Sequence, residues 1–272
     1  MKRPRDTVGP RPANRLLEAA WPILAGLGLC WGAGCAPALH ASAVAPVAVQ
    51  VGTSFFRSDG HRIRMDVYQP KSGGRHPAVI VIHGSSGVHR IVSDTASRYA
   101  RALAEQGLVA FVVHYFDATG TFTANLAEES EHYDAWAGVL RDAVTQVVQL
   151  PDVDGTDVGI LGHSLGAFLS VGVAAFDSRI SRVVLFGGGL EPFLPARIER
   201  MPPTLVFHGD QDEEVPLADA RSLVDFLRSR RCDVVFHVLP GQGHIFSEPA
   251  VTEALTEAAR FFTAARQGGP VP

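Results

Sequence analysis

The sequence predicts an α/β domain on a mostly parallel sheet of about eight strands, with helices on both faces. Three observations carry that expectation. From residue 78 onward, apolar strand patterns alternate with helical ones, the order that parallel crossovers generate. The runs 78–82 and 108–113 are apolar throughout, as strands covered on both faces must be. No shift in composition divides the chain after residue 44, so residues 44–272 read as one domain.

Taken in order, residues 49–57 and 62–68 alternate at period two around Ser58-Asp59-Gly60, the signature of an antiparallel hairpin. The third strand, 78–82, ends in His83-Gly84-Ser85-Ser86-Gly87. A helix is expected over 93–106, with Ser93 as its N-cap and Gly107 as its stop. Strand 108–113 follows, then a polar, irregular stretch over 119–131 and a long helix over 133–150, closed by Pro151. Strands at 158–161, 180–186, 204–207 and 234–239 alternate with helices over 167–175, 216–231 and 251–265.

The first 43 residues differ from the rest. Lys2, Arg3, Arg5, Arg11 and Arg15 make a basic start, residues 19–31 an apolar centre, and Ala41-Ser42-Ala43 a small-residue end. This reads as a secretory signal peptide over 1–43, so the mature protein is expected to be exported, without stable membrane insertion after cleavage. Pro22 and four glycines break the segment and no positive charge follows it closely, which weighs against a membrane anchor. Cys35 lies in a poor match to a lipoprotein site, with Gly32 where leucine is usual. Cleavage would leave Cys232 alone, so the mature fold would hold no internal disulfide. The net charge of −4, with no basic cluster beyond the first fifteen residues, speaks against nucleic-acid binding.

The chain is organised around Gly162-His163-Ser164-Leu165-Gly166, entered from an apolar strand and left into an apolar helix. Strand, sharp turn and helix are the setting in which Gly-x-Ser-x-Gly marks an exposed serine nucleophile. A backbone N–H at the helix start, that of Leu165, would face an oxyanion. A serine needs a general base and a group that orients the base. Loops leaving the carboxyl ends of parallel strands converge on one rim, so partners are sought directly after strands. Residues 208–216 follow one strand and offer four carboxylates: Asp210, Asp212, Glu213 and Glu214. Residues 241–246 follow the last strand and place His244 between glycine and an apolar pair. The order is serine, acid, histidine.

On these residues the chain resembles an α/β-hydrolase and is similar to the dienelactone hydrolase family from about residue 50 to its end. His83-Gly84, Gly162-His163-Ser164-Leu165-Gly166, Gly209-Asp210-Gln211-Asp212 before Val215-Pro216, and Gly243-His244 fall in the family's order. The resemblance implies Ser164 as nucleophile, Asp212 as acid and His244 as base, with the N–H groups of Ser85 and Leu165 as the oxyanion hole. The family's namesakes carry cysteine where this chain has Ser164, a departure that counts against lactone specificity; the characterised members with serine are esterases of varied substrate. Asp210 is expected to brace its turn, Glu213 and Glu214 to be solvated, and His83 and His163 to support the site. His208, which also ends a strand, is left outside the triad.

Residues 187–203 are too short for a large cap domain, so a shallow pocket for small or medium carboxyl esters is expected. Tyr115, Phe116 and Phe193 are candidates for its apolar lining. The expected partner is a small-molecule ester. The chemistry calls for no metal and no organic cofactor. Two other readings remain: a peptidase similar to the prolyl oligopeptidase catalytic domain, for which residues 44–77 supply no propeller, and a non-catalytic binding module.

Overall fold

The computed structural model describes residues 46–88 and 94–264. The proposed signal segment, Ser93 and Ala265 therefore lie outside the described residues. One eight-stranded sheet runs in the order β1-β2-β4-β3-β5-β6-β7-β8. Its strands are β1 (Val49–Ser58), β2 (His61–Pro70), β3 (His76–Ile82), β4 (Val109–Val113), β5 (Val153–His163), β6 (Ile180–Phe186), β7 (Thr204–Gly209) and β8 (Val234–Leu239). The β1–β2 hairpin is antiparallel and β2 joins β4 antiparallel; every pair from β4 through β8 is parallel. This is the α/β-hydrolase arrangement that the sequence predicts.

The helices are α1 (Thr95–Glu105), α2 (Leu126–Val147), α3 (Leu165–Ala174), α4 (Leu217–Ser229) and α5 (Ala250–Thr263). Their apolar faces make two cores. Ala78, Ile80 and Ile82 of β3 face α2, α3 and α4, with Trp136, Leu140 and Leu223 in that layer. Val79 and Val81, one residue out of phase, face α1 and α5 with Leu103 and Phe262. The period of two along a strand thus feeds both layers, which is why β3 carries no polar residue among its buried positions. Each large side chain so buried contributes about 1.5–3 kcal/mol.

Two boundaries differ from expectation. Helix α2 begins at Leu126, not near residue 133, because Asn125 caps it: its side chain accepts from Ala127 and Glu128 N–H, and Glu128 returns a bond to the Asn125 N–H. The first turns face solvent, so they lack the apolar stripe that reveals a helix in sequence. Strand β5 begins at Val153, because Val153 pairs with His76 ahead of a register shift. Helix α1 is capped by Asp94, which accepts from Ser97 N–H at 3.2 Å. Cys232 is only half-buried, against the edge of the core.

The span between β6 and β7 holds no helix or strand. Leu194, Ile198 and Met201 turn inward and are buried, pinning it to the body of the domain. Among the described residues, no helix or strand inserted between β6 and β7 stands over the rim. Among the described residues, no helix is long and apolar enough to cross a membrane.

Candidate active site

Ser164 occupies the turn between β5 and α3 with φ 56° and ψ −127°. A non-glycine residue in that conformation costs on the order of 1–3 kcal/mol, a cost the surrounding packing must offset. The packing is visible at the flanking glycines. A β-carbon on Gly162 would collide with the Gly166 carbonyl, and one on Gly166 with the carbonyls of Ile82 and His83. Ser164 N–H donates to Phe186 O at 3.0 Å, which ties the elbow to the end of β6.

The next residue, Gly187, lies beneath a histidine–carboxylate pair. A β-carbon there would come within 3.2 Å of His244 Nδ1 and 3.4 Å of Asp212 Oδ2. His244 Nδ1 is 2.9 Å from Asp212 Oδ2, and both residues are buried. Asp212 Oδ1 accepts from the N–H groups of Glu214 at 3.0 Å and Val215 at 2.9 Å. Asp210 is elsewhere: its Oδ1 accepts from Gly241 N–H at 2.7 Å and braces the turn after β8. The fold therefore brings Ser164, Asp212 and His244 to one rim and turns Asp210 away from the histidine.

His244 Nε2 is 3.7 Å from Glu214 Oε2. Glu214 was expected only to be solvated; its side chain is indeed 70% exposed, but it stands at the open face of the base. Among the described residues the Ser164 hydroxyl has no hydrogen-bond partner. Catalytic bonds of this kind are often long before substrate arrives.

On the other side of Ser164, Gly84 approaches so closely that a β-carbon there would lie 3.0 Å from Ser164 Cβ. The Gly84–Gly87 turn closes with a 3.0 Å backbone bond, and Ala124 N–H donates to Ser85 O at 2.8 Å. Among the described residues, neither Ser85 N–H nor Leu165 N–H is spent on another acceptor. Beneath this loop, Tyr115 OH donates to His83 O at 2.9 Å, and the Tyr115 ring stacks on His83 at 4.1 Å. Burial pushes the Tyr115 phenol well above its ordinary value, so it stays a donor.

His163 is buried and its Nε2 is 3.1 Å from the His244 carbonyl oxygen. Burial, with the charge of His244 added, lowers its pKa to about 4, so it donates as a neutral ring. A second histidine–carboxylate pair, His114 Nε2 and Asp66 Oδ2 at 2.8 Å, joins β4 to β2. Burial alone would raise Asp66, but hydrogen bonds from His114, Thr53 and Arg64 outweigh it and hold its pKa at about 2.

A cavity of about 190 Å³ adjoins the elbow, with His83, Gly84, Thr123, His163 and Ile245 in its wall. The aromatic lining expected from sequence is not there. Tyr115 is fully buried under His83, while Phe193 packs edge-on against Tyr133 over a separate depression. Phe116 borders another depression beside Phe122. Thr123 and Ile245 take their place, brought in by loops whose packing no periodicity records.

Residues 63–264 match the model of the dienelactone hydrolase family. An uncharacterized protein of Mycobacterium tuberculosis is 30% identical over 247 residues, covering 83% of each chain. Among solved structures, a dienelactone hydrolase-like promiscuous phosphotriesterase from metagenomic libraries superposes with a TM-score of 0.70 at 19% identity, over 79% of this chain and 98% of its own. An esterase of Pyrobaculum calidifontis gives 0.62 at 21% identity, over 80% and 85% of the two chains. The fold and the rim define an α/β-hydrolase. Within that class the chain belongs to the dienelactone hydrolase family and is a carboxylic ester hydrolase.

Proposed function

We propose that this protein is an exported serine hydrolase that cleaves small or medium carboxyl esters through an acyl-enzyme. The observation that carries the reading is the 2.9 Å bond from His244 Nδ1 to Asp212 Oδ2, set beside a serine held at positive φ. A neutral serine is a poor nucleophile, so His244 Nε2 takes its proton as Oγ attacks the ester carbonyl. Asp212 holds the imidazole with Nε2 outward and stabilises the imidazolium that forms. The carbonyl oxygen becomes an oxyanion, met by the N–H groups of Ser85 and Leu165. The imidazolium then protonates the departing alcohol. Water enters by the same route in reverse, and the acid leaves with Ser164 restored.

The uncapped rim and the 190 Å³ cavity support substrates of modest size. The direct test is rapid mixing with a p-nitrophenyl ester. A burst of p-nitrophenol equal to the enzyme concentration is expected where deacylation is slow. Turnover of a peptide substrate in preference to every ester would replace this reading with the peptidase one.

A further inference from the structure

We propose that His208 is a positioning residue for Asp212, an inference that rests on the serine-hydrolase reading for its kinetic part. His208 stands near the end of β7, is fully buried, and shares a strand face with the core residue Val206. Its Nε2 is 2.8 Å from Val215 O and 3.3 Å from Asp212 Oδ2. Its Nδ1 is buried and, among the described residues, has no hydrogen-bond partner.

These contacts choose the tautomer. Val215 O and the Asp212 carboxylate are both acceptors, so the hydrogen lies on Nε2, bonded to Val215 O and turned toward the side of the carboxylate. A hydrogen on Nδ1 would be buried with nothing to receive it, while a bare lone pair there costs less. His208 is therefore a fixed donor. Unlike His244, it has no route by which to pass a proton to substrate.

The consequence falls on Asp212. Its Oδ1 takes the N–H groups of Glu214 and Val215; its Oδ2 takes His244 Nδ1–H, with His208 Nε2 3.3 Å away. A carboxylate has about four acceptor positions; three are filled by these donors, and the His208 imidazole edge lies against the oxygen that holds the fourth. Donors on both oxygens, with the His208 Nε2 edge held against Oδ2, fix the rotation of the carboxylate about its stem, and through it the angle of the His244 ring. The bond to Val215 O also draws the far end of the 209–216 loop back onto its own strand. Asp210, two residues earlier, meets neither imidazole.

The test compares His208→Leu, which removes the donor at similar volume, with His208→Gln, whose amide N–H can reach the same acceptors. Rates are taken per active site titrated with a fluorophosphonate, so that misfolded protein does not count. His208→Leu should lower kcat about tenfold or more with KM within about threefold, and His208→Gln should recover most of the loss. A role in folding alone would reduce the number of titratable sites and leave kcat per site unchanged; that result would overturn the proposal. Nitrogen-15 NMR of labelled histidines reads the wild-type tautomer without catalysis or mutation. Hydrogen on Nε2 of His208 supports the proposal, and hydrogen on Nδ1 overturns it. Should the wild type take no probe and cleave no ester, the serine-hydrolase reading fails, and the tautomer still decides whether His208 serves Asp212.

Discussion

His163 and His244 pack ring against ring, 4.9 Å between centroids, and His163 Nε2 donates to the carbonyl oxygen of His244 at 3.1 Å. His163, the residue before Ser164, thus holds the backbone of His244. Because burial keeps His163 neutral down to about pH 4, this strut sets no charge beside the His244 ring.

The same burial makes stability depend on pH. The unfolded chain takes up a proton on His163 near its ordinary 6.5, the native protein only near 4. The unfolded state binds more protons between those values. Stability is therefore complete above about pH 6.5 and falls as pH drops toward 4, by on the order of 3 kcal/mol from this residue. Urea midpoints taken between about pH 7.5 and pH 4.5 should fall less steeply in His163→Gln than in wild type. Equal slopes would assign the loss to other groups.

Asp212 and Asp210 should separate cleanly under mutation. Asp212→Asn keeps the shape but offers the histidine a donor where it needs an acceptor, and should cost roughly 10³ to 10⁴-fold in kcat. Asp210→Asn weakens one bond to a turn N–H; it should leave kcat within a few-fold and cost about 1 kcal/mol of stability. Steady-state kinetics beside thermal melts reads both. A crippled Asp210→Asn enzyme would move the acid by two positions.

Much of this was legible in the chain because parallel strands deliver their loops to one rim. Gly162–Gly166, Asp212 and His244 each sit just past an apolar run, and the bounds expected for β6 and β8 match the structure. What escaped lay in contacts without period. The solvent-facing start of α2 shows only through its capping box, Asn125 with Glu128. Thr123 reaches the cavity beside a backbone bond from Ala124 to Ser85, and Ile245 reaches it by following His244 around the last loop. His208 looked like a rival base in sequence; only its distances to Val215 and Asp212 show what it faces.

Acyl-chain preference follows from the cavity wall. Ile245 is half exposed at the mouth and nothing caps the rim, so acyl groups of about two to six carbons should be preferred. A series of p-nitrophenyl esters measures it. A steady rise to long chains, with a jump above the micellar concentration, would contradict the uncapped pocket.

The proposed export rests on the basic start, apolar centre and Ala41-Ser42-Ala43. N-terminal sequencing of the fractionated protein should find Val44 first, outside the cytoplasm. An intact Met1 in the cytoplasm would refute this, and a lipid on Cys35 would redirect it.

The central claim is that Ser164 is the nucleophile. The measurement is labelling by a fluorophosphonate, mapped by peptide mass, together with ester hydrolysis by wild type and Ser164→Ala. Label on Ser164 alone is expected, with kcat lower by about 10⁴-fold or more in the variant. Ester hydrolysis at the wild-type rate by Ser164→Ala, or label on another serine, would contradict the account.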